Sequence, residues 1–197
     1  IKAAIYKKMI KDEPNCFRAY NNLAVVEYKM GNQKAAKDAL NDAKKLTDND
    51  VIVNNLGVLA LAEGDVKAAK ELFTASLGAG ADVNYNLGIV NVIEGNYDAA
   101  VNYFGNKPSF NNALAQYLNK SEDAAWRMIV NLPEETANRY YLMAVIAASQ
   151  DKPDVVLENL KNALAVCADP KIIKDRALKD LEFAKLWNLP GFKDILK

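Results

Sequence analysis

Residues 54–77 read NNLGVLALAEGDVKAAKELFTASL, and this stretch decides the fold. Val53, Leu56 and Ala60 recur at helical spacing on one stripe, which predicts a helix running up to Gly64. Gly64-Asp65 interrupts it: glycine suits the left-handed residue that ends a helix, and Asp65 suits the N-cap of a new one. Val66, Ala69, Phe73, Ser76 and Leu77 then form the apolar stripe of a second helix. The product is an antiparallel helix pair. Gly57 and Ala69 are expected where the two axes come closest, because a large side chain at either place would push the helices apart.

The same pattern lies on both sides. Upstream are Asn22-Leu23-Ala24, Gly31-Asn32, Ala35-Ala36, Leu40 and Ala43; downstream are Asn86-Leu87-Gly88, Gly95-Asn96, Ala99-Ala100 and Phe104. The turn glycines Gly31, Gly64 and Gly95 recur 33 and 31 residues apart. A two-helix unit near this period, with Leu-Gly in the first helix and Ala then an aromatic in the second, resembles the tetratricopeptide repeat (TPR) family. The resemblance implies an all-α, right-handed α-solenoid of antiparallel helix pairs.

Read in order, the chain opens on a helical stripe of Ala4, Ile5, Met9 and Ile10. Glu13-Pro14-Asn15 resembles the stop after a TPR second helix, so residues 1–14 read as the back half of a repeat. Clear repeats follow at 17–50, 51–80 and 82–107, the first with helices near 18–30 and 33–46. Glu27 stands where the family has a tyrosine. Residues 110–118 and 122–130 predict a further pair within 108–133, with Leu114-Ala115 in the Leu-Gly place and Ala125 as the close-contact alanine. These lie 11 residues apart against 13 for Leu56 and Ala69, which implies a turn cut short at Asn119-Lys120-Ser121. Residues 137–148 and 154–167 predict a fifth pair within 137–169, with Val156 in the small-residue place. Residues 170–197 read as capping helices, beginning with one that carries Ile173, Ala177, Leu181 and Ala184 on its inner side. The single solenoid domain so described is expected to belong to a longer protein. The ending DLEFAKLWNLPGF resembles tails that close TPR arrays in bacterial cell-envelope proteins.

Composition narrows the function. Lys plus Arg and Asp plus Glu number 25 each, so the basic excess of a nucleic-acid surface is missing. No apolar run approaches a membrane span. The chain has no histidine, which removes imidazole bases and His metal ligands. Cys16 and Cys167 are expected to be unpaired, small, buried apolar residues. Glu122-Asp123 and Glu134-Glu135 are expected at helix starts, where the helix dipole favours them over any acid–base role. Trp126 and Trp187 read as packing residues. No catalytic constellation, metal site or cofactor site emerges.

The resemblance places a binding groove on the first helices of the repeats. There the chain has Asn21, Asn22 and Tyr28, then Asn54, Asn55 and Val58, then Tyr85, Asn86 and Ile89, with Val25, Leu61 and Val92 on the same face. Family members that clamp a C-terminal carboxylate have lysines and arginines where this chain has Asn21 and Val25. A groove of this kind implies a protein or peptide partner, held in part by a row of Asn22, Asn55 and Asn86, which stops at Ala113 and Leu142. The alternative is that asparagine beside the Leu-Gly pair serves local packing. At the level of the whole chain, an interaction scaffold, monomeric by itself, stands against an assembly module that associates with itself or with another domain of its parent.

Overall fold

The computed structural model describes residues 1–197, all of them helix, turn or connection, with no strand. The chain falls into two compact units, Ile1–Asn96 and Tyr97–Lys197. The first holds α1 (Lys2–Asp12), α2 (Phe17–Lys29), α3 (Gln33–Leu46), α4 (Asp50–Ala62), α5 (Val66–Thr74) and α6 (Ala81–Ile93), with a short 3₁₀ turn at Leu77–Ala79. The second holds α7 (Tyr97–Phe104), α8 (Phe110–Leu118), α9 (Glu122–Val130), α10 (Ala137–Ser149), α11 (Pro153–Val166) and α12 (Pro170–Ala177). It ends in a 3₁₀ segment, Leu181–Leu186, and α13 (Pro190–Ile195). Helices α2 and α3, α4 and α5, α8 and α9, and α10 and α11 pack as pairs.

One turn recurs five times. The second residue after each first helix has positive φ: Gly31, Gly64 and Gly95, then Lys120 (67°) and Asp151 (53°). The next residue donates its backbone N–H five positions back, Asn32 to Glu27, Asp65 to Ala60, Asn96 to Asn91, Ser121 to Gln116 and Lys152 to Ala147, all at 2.8–3.0 Å. This satisfies carbonyls that a helix end would leave bare. Asp65 caps α5 through the Ala68 N–H, as its sequence position predicts. Lysine and aspartate bear a left-handed conformation at a cost of roughly 1–2 kcal/mol, which the packing of the two helices must outweigh.

Counting from that turn residue gives a common register. Five places after it stand Ala36, Ala69, Ala100, Ala125 and Val156, every one fully buried. Seven places before it stand Ala24, Gly57, Gly88, Ala113 and Ala144, also buried. At Gly57 the close neighbour is the Phe73 ring rather than Ala69: an added Cβ would lie 2.5 Å from Phe73 Cε1.

Several expectations are corrected. In the fourth pair the Leu-Gly place belongs to Asn112-Ala113, two residues before Leu114-Ala115, and the turn has its full length. Asn112 disguises the match by replacing leucine. It is fully buried and donates its amide to the Gly105 and Lys107 carbonyls at 3.1 and 2.8 Å. The place equivalent to Asn22, Asn55 and Asn86 is therefore Asn111, not Ala113. Helix α1 buries no residue, and its half-covered stripe is Ala3, Tyr6 and Ile10, leaving Ala4, Ile5 and Met9 exposed. Helix α5 ends at Thr74, so Leu77 lies beyond it and is exposed, while Ser76 is buried with its hydroxyl on the Leu72 carbonyl. Helix α12 stops at Ala177, so Leu181 (80% exposed) and Ala184 do not extend its inner side. Instead Phe183, Phe192 and Leu196 enter the core beside Tyr141. Glu134-Glu135 precede Thr136, the N-cap of α10, rather than starting that helix. Both cysteines are free and half-buried.

Glu27, where the resemblance expects a tyrosine, is buried in the last turn of α2. Asn32 Nδ2 donates to its Oε2 at 2.8 Å and Lys7 Nζ lies 3.8 Å from Oε1. The carboxylate thus holds the turn on one side and α1 on the other. Trp187 donates its indole N–H to the Ala177 carbonyl, which fits its packing role.

Candidate functional site in the first unit

The candidate residues Asn21, Asn22, Tyr28, Asn54, Asn55, Val58, Tyr85, Asn86 and Ile89 all lie on α2, α4 and α6, within the first unit. In the turn-based register Asn21, Asn54 and Tyr85 are equivalent, as are Asn22, Asn55 and Asn86, then Val25, Val58 and Ile89, then Tyr28, Leu61 and Val92. Helical spacing brings the first, third and fourth of these sets to one face.

The structure joins the asparagines in a way that sequence spacing does not reveal. Asn55 Nδ2 donates to Asn21 Oδ1 at 2.8 Å, and Asn86 Nδ2 donates to Asn54 Oδ1 at 2.9 Å. Each amide therefore bridges to the preceding first helix, one place out of register. Asn54 is buried, Asn21, Asn55 and Asn86 are half-buried, and Asn22 is exposed. The row ties the helices to one another, and each donating amide retains its carbonyl oxygen and one N–H. A sequence signal existed: in both bonds the partners stand one local repeat plus one residue apart, 34 residues for Asn21 and Asn55 and 32 for Asn54 and Asn86.

Beside this bridge lies an apolar cavity of about 190 Å³ between α2 and α4 over α3. Val25, Tyr28, Asn55 and Val58 form its walls, Ala36 and Leu40 its floor, and Lys29 a charged edge. Val25 and Tyr28 remain 38% and 39% exposed. Sequence reasoning found the walls; it missed Lys29 and the two floor residues of α3, which belong to the second helix of the pair. Ion pairs repeat on these helices as well: Lys37 with Glu63 at 3.2 Å and Lys70 with Glu94 at 3.1 Å link each second helix to the end of the next first helix. Tyr85 and Ile89 are half-buried on α6.

The face can offer apolar contact and amide hydrogen bonds. It contains no nucleophile–base pair, and no group of three His, Cys, Asp or Glu side chains is placed to hold a metal ion. No helix is long and apolar enough to cross a membrane.

The model of the tetratricopeptide repeat family matches residues 17–50, the pair α2–α3. No curated protein sequence matches the chain. Among solved structures it is similar to the Cut9-Hcn1 hetero-tetramer of APC/C, with a TM-score of 0.76 and 18% identity over 99% of this chain. The chain spans 39% of the length of that one. It is also similar to a tetratricopeptide repeat protein from Parabacteroides merdae, with a TM-score of 0.63 and 17% identity over 88% of this chain and 74% of the other. YrrB, described as a TPR protein with an unusual peptide-binding site, gives 0.61 at 20% identity over 87% of this chain and 96% of its own. These likenesses establish the fold: antiparallel helix pairs of the tetratricopeptide solenoid class.

Proposed function

We propose, from the premise that this chain is a tetratricopeptide repeat protein, that it is a non-catalytic interaction scaffold whose first unit binds a peptide or protein segment along α2, α4 and α6. The observation that carries this reading is the open apolar cavity at Val25, Tyr28 and Val58, flanked by the partly satisfied amide of Asn55. Apolar walls beside amides suit a segment that inserts a hydrophobic side chain while its backbone meets donors and acceptors. The balanced charge disfavours nucleic acid as the partner, and no cofactor is required. A library of random dodecapeptides selected on the full chain tests this. Selected peptides should bind the wild type and lose at least tenfold in affinity to Val25→Glu, a change at an exposed position. Peptides that bind both chains equally would remove the site.

A second reading, an assembly module, is favoured by the exposed Ile5 and Met9 on α1. Light scattering at rising concentration separates the two: a monomer supports the scaffold, and a stable dimer that Met9→Lys dissolves supports assembly.

A further inference from the structure

The second unit treats its corresponding face differently. The places equivalent to Asn21 and Val25 are Tyr141 and Val145 on α10, and the place equivalent to Tyr28 is Tyr117 on α8. Val25 is 38% exposed, but Val145 only 7%. The cover is the chain itself. Tyr141 donates its hydroxyl to Asp180 Oδ2 and Tyr117 donates to Glu182 Oε2, each at 2.8 Å. Between them Phe183 is fully buried, edge-on to Tyr141 with ring centroids 5.6 Å apart. A short run thus meets the face with two carboxylates and one ring.

We infer that the face of α8 and α10 is a binding surface for an acidic–aromatic segment of pattern Asp-x-Glu-Phe, occupied in cis by residues 180–183 and open to the same pattern in trans. The chemistry is matched piece by piece. Phenolic hydroxyls give charge-assisted hydrogen bonds to the carboxylates, the aromatic ring fills the apolar centre, and Arg176, 4.1 Å from the centroid of the Tyr141 ring, adds positive charge. A tethered occupant competes at a high effective concentration, so an external segment gains access only when the internal one is weakened. This surface is separate from the one on α2, α4 and α6, and does not depend on that reading.

The test uses the full chain and a fluorescent synthetic peptide with the sequence of residues 178–189. Asp180→Ala/Glu182→Ala loosens the internal segment at positions that are not buried and retains Phe183. This variant should bind the peptide at one equivalent, at least tenfold more tightly than the wild type. A peptide with both acids replaced by alanine should not bind it. Tyr117→Phe added to the double variant, which deletes the hydroxyl that meets the peptide's glutamate and leaves the ring, should weaken peptide binding. Val25→Glu added to the double variant should change nothing. Equal binding by wild type and double variant, no binding by the variant, or loss of binding on Val25→Glu would each overturn the inference.

Discussion

Asn55 on α4 donates its side-chain amide to Asn21 on α2 at 2.8 Å, and Asn86 on α6 makes the same bond to Asn54 on α4 at 2.9 Å. Neighbouring first helices are thus fastened by polar bridges at a half-buried level, beside the apolar contacts that carry most of the packing. A bridge of this kind costs little and fixes register, because sliding one helix along another leaves an amide without its partner.

Asparagine replacements should therefore separate into two kinds. Asn55→Ala removes a bridge and should lower stability by about 0.5–1.5 kcal/mol, with Asn86→Ala similar. Asn22→Ala, at an exposed place, should stay within about 0.5 kcal/mol of wild type. Urea midpoints measure all three, and equal midpoints for Asn22→Ala and Asn55→Ala would contradict the bridge.

Gly57→Leu should be much more damaging than Gly64→Ala. The first drives a side chain into the Phe73 ring, where even a Cβ lies 2.5 Å from Cε1, and overpacking typically costs about 1–3 kcal/mol or more. The second burdens one left-handed turn residue with no neighbour near its Cβ, at roughly 1 kcal/mol. Denaturation midpoints that coincide would place the close helix contact elsewhere.

Helix existence was legible in the sequence because it depends on local spacing, and for one pair so were the ends: 110–118 and 122–130 match α8 and α9 residue for residue, whereas α5 and α12 stop short of their expected stripes. The register of that pair was not legible. Asn112 replaces an apolar marker and meets carbonyls of the preceding loop, an arrangement visible only once the chain has turned back on itself. The final segment was hidden for a related reason. Asp180 and Glu182 look like solvated charges until Tyr141 and Tyr117 are placed beside them. The walls of the cavity came from the tetratricopeptide resemblance, with helical periodicity putting Val25 and Tyr28 on one face; the asparagine bridges needed the offset between neighbouring repeats.

Lys120→Gly should stabilise the protein by about 0.5–1 kcal/mol. Lys120 has φ of 67°, a conformation that glycine adopts without steric cost, although glycine returns part of the gain through chain entropy. Thermal melting of the single variant checks this, and a lower melting temperature would mean that the lysine side chain contributes something the turn geometry does not require.

Alkaline pH should destabilise the second unit. Burial first, then the hydrogen bond to Asp180, raises the Tyr141 hydroxyl above the ordinary phenol value, and burial and Glu182 do the same at Tyr117. The folded chain holds these protons more tightly than the unfolded chain does. Their contribution is thus fully present below about pH 10 and is lost as pH rises through and beyond that value. The melting temperature should fall from pH 9 to pH 11, and Tyr117→Phe/Tyr141→Phe should fall less. A double variant with the same alkaline slope would exclude the two tyrosines as its source.

The binding reading is tested most directly by methyl NMR of the full chain titrated with a peptide selected on it. The account predicts saturable shifts at one equivalent, largest at the Val25 and Val58 methyls and smaller at Ile89, with Val145 unmoved under its own covering segment. Saturable binding that leaves Val25 and Val58 unshifted would contradict it.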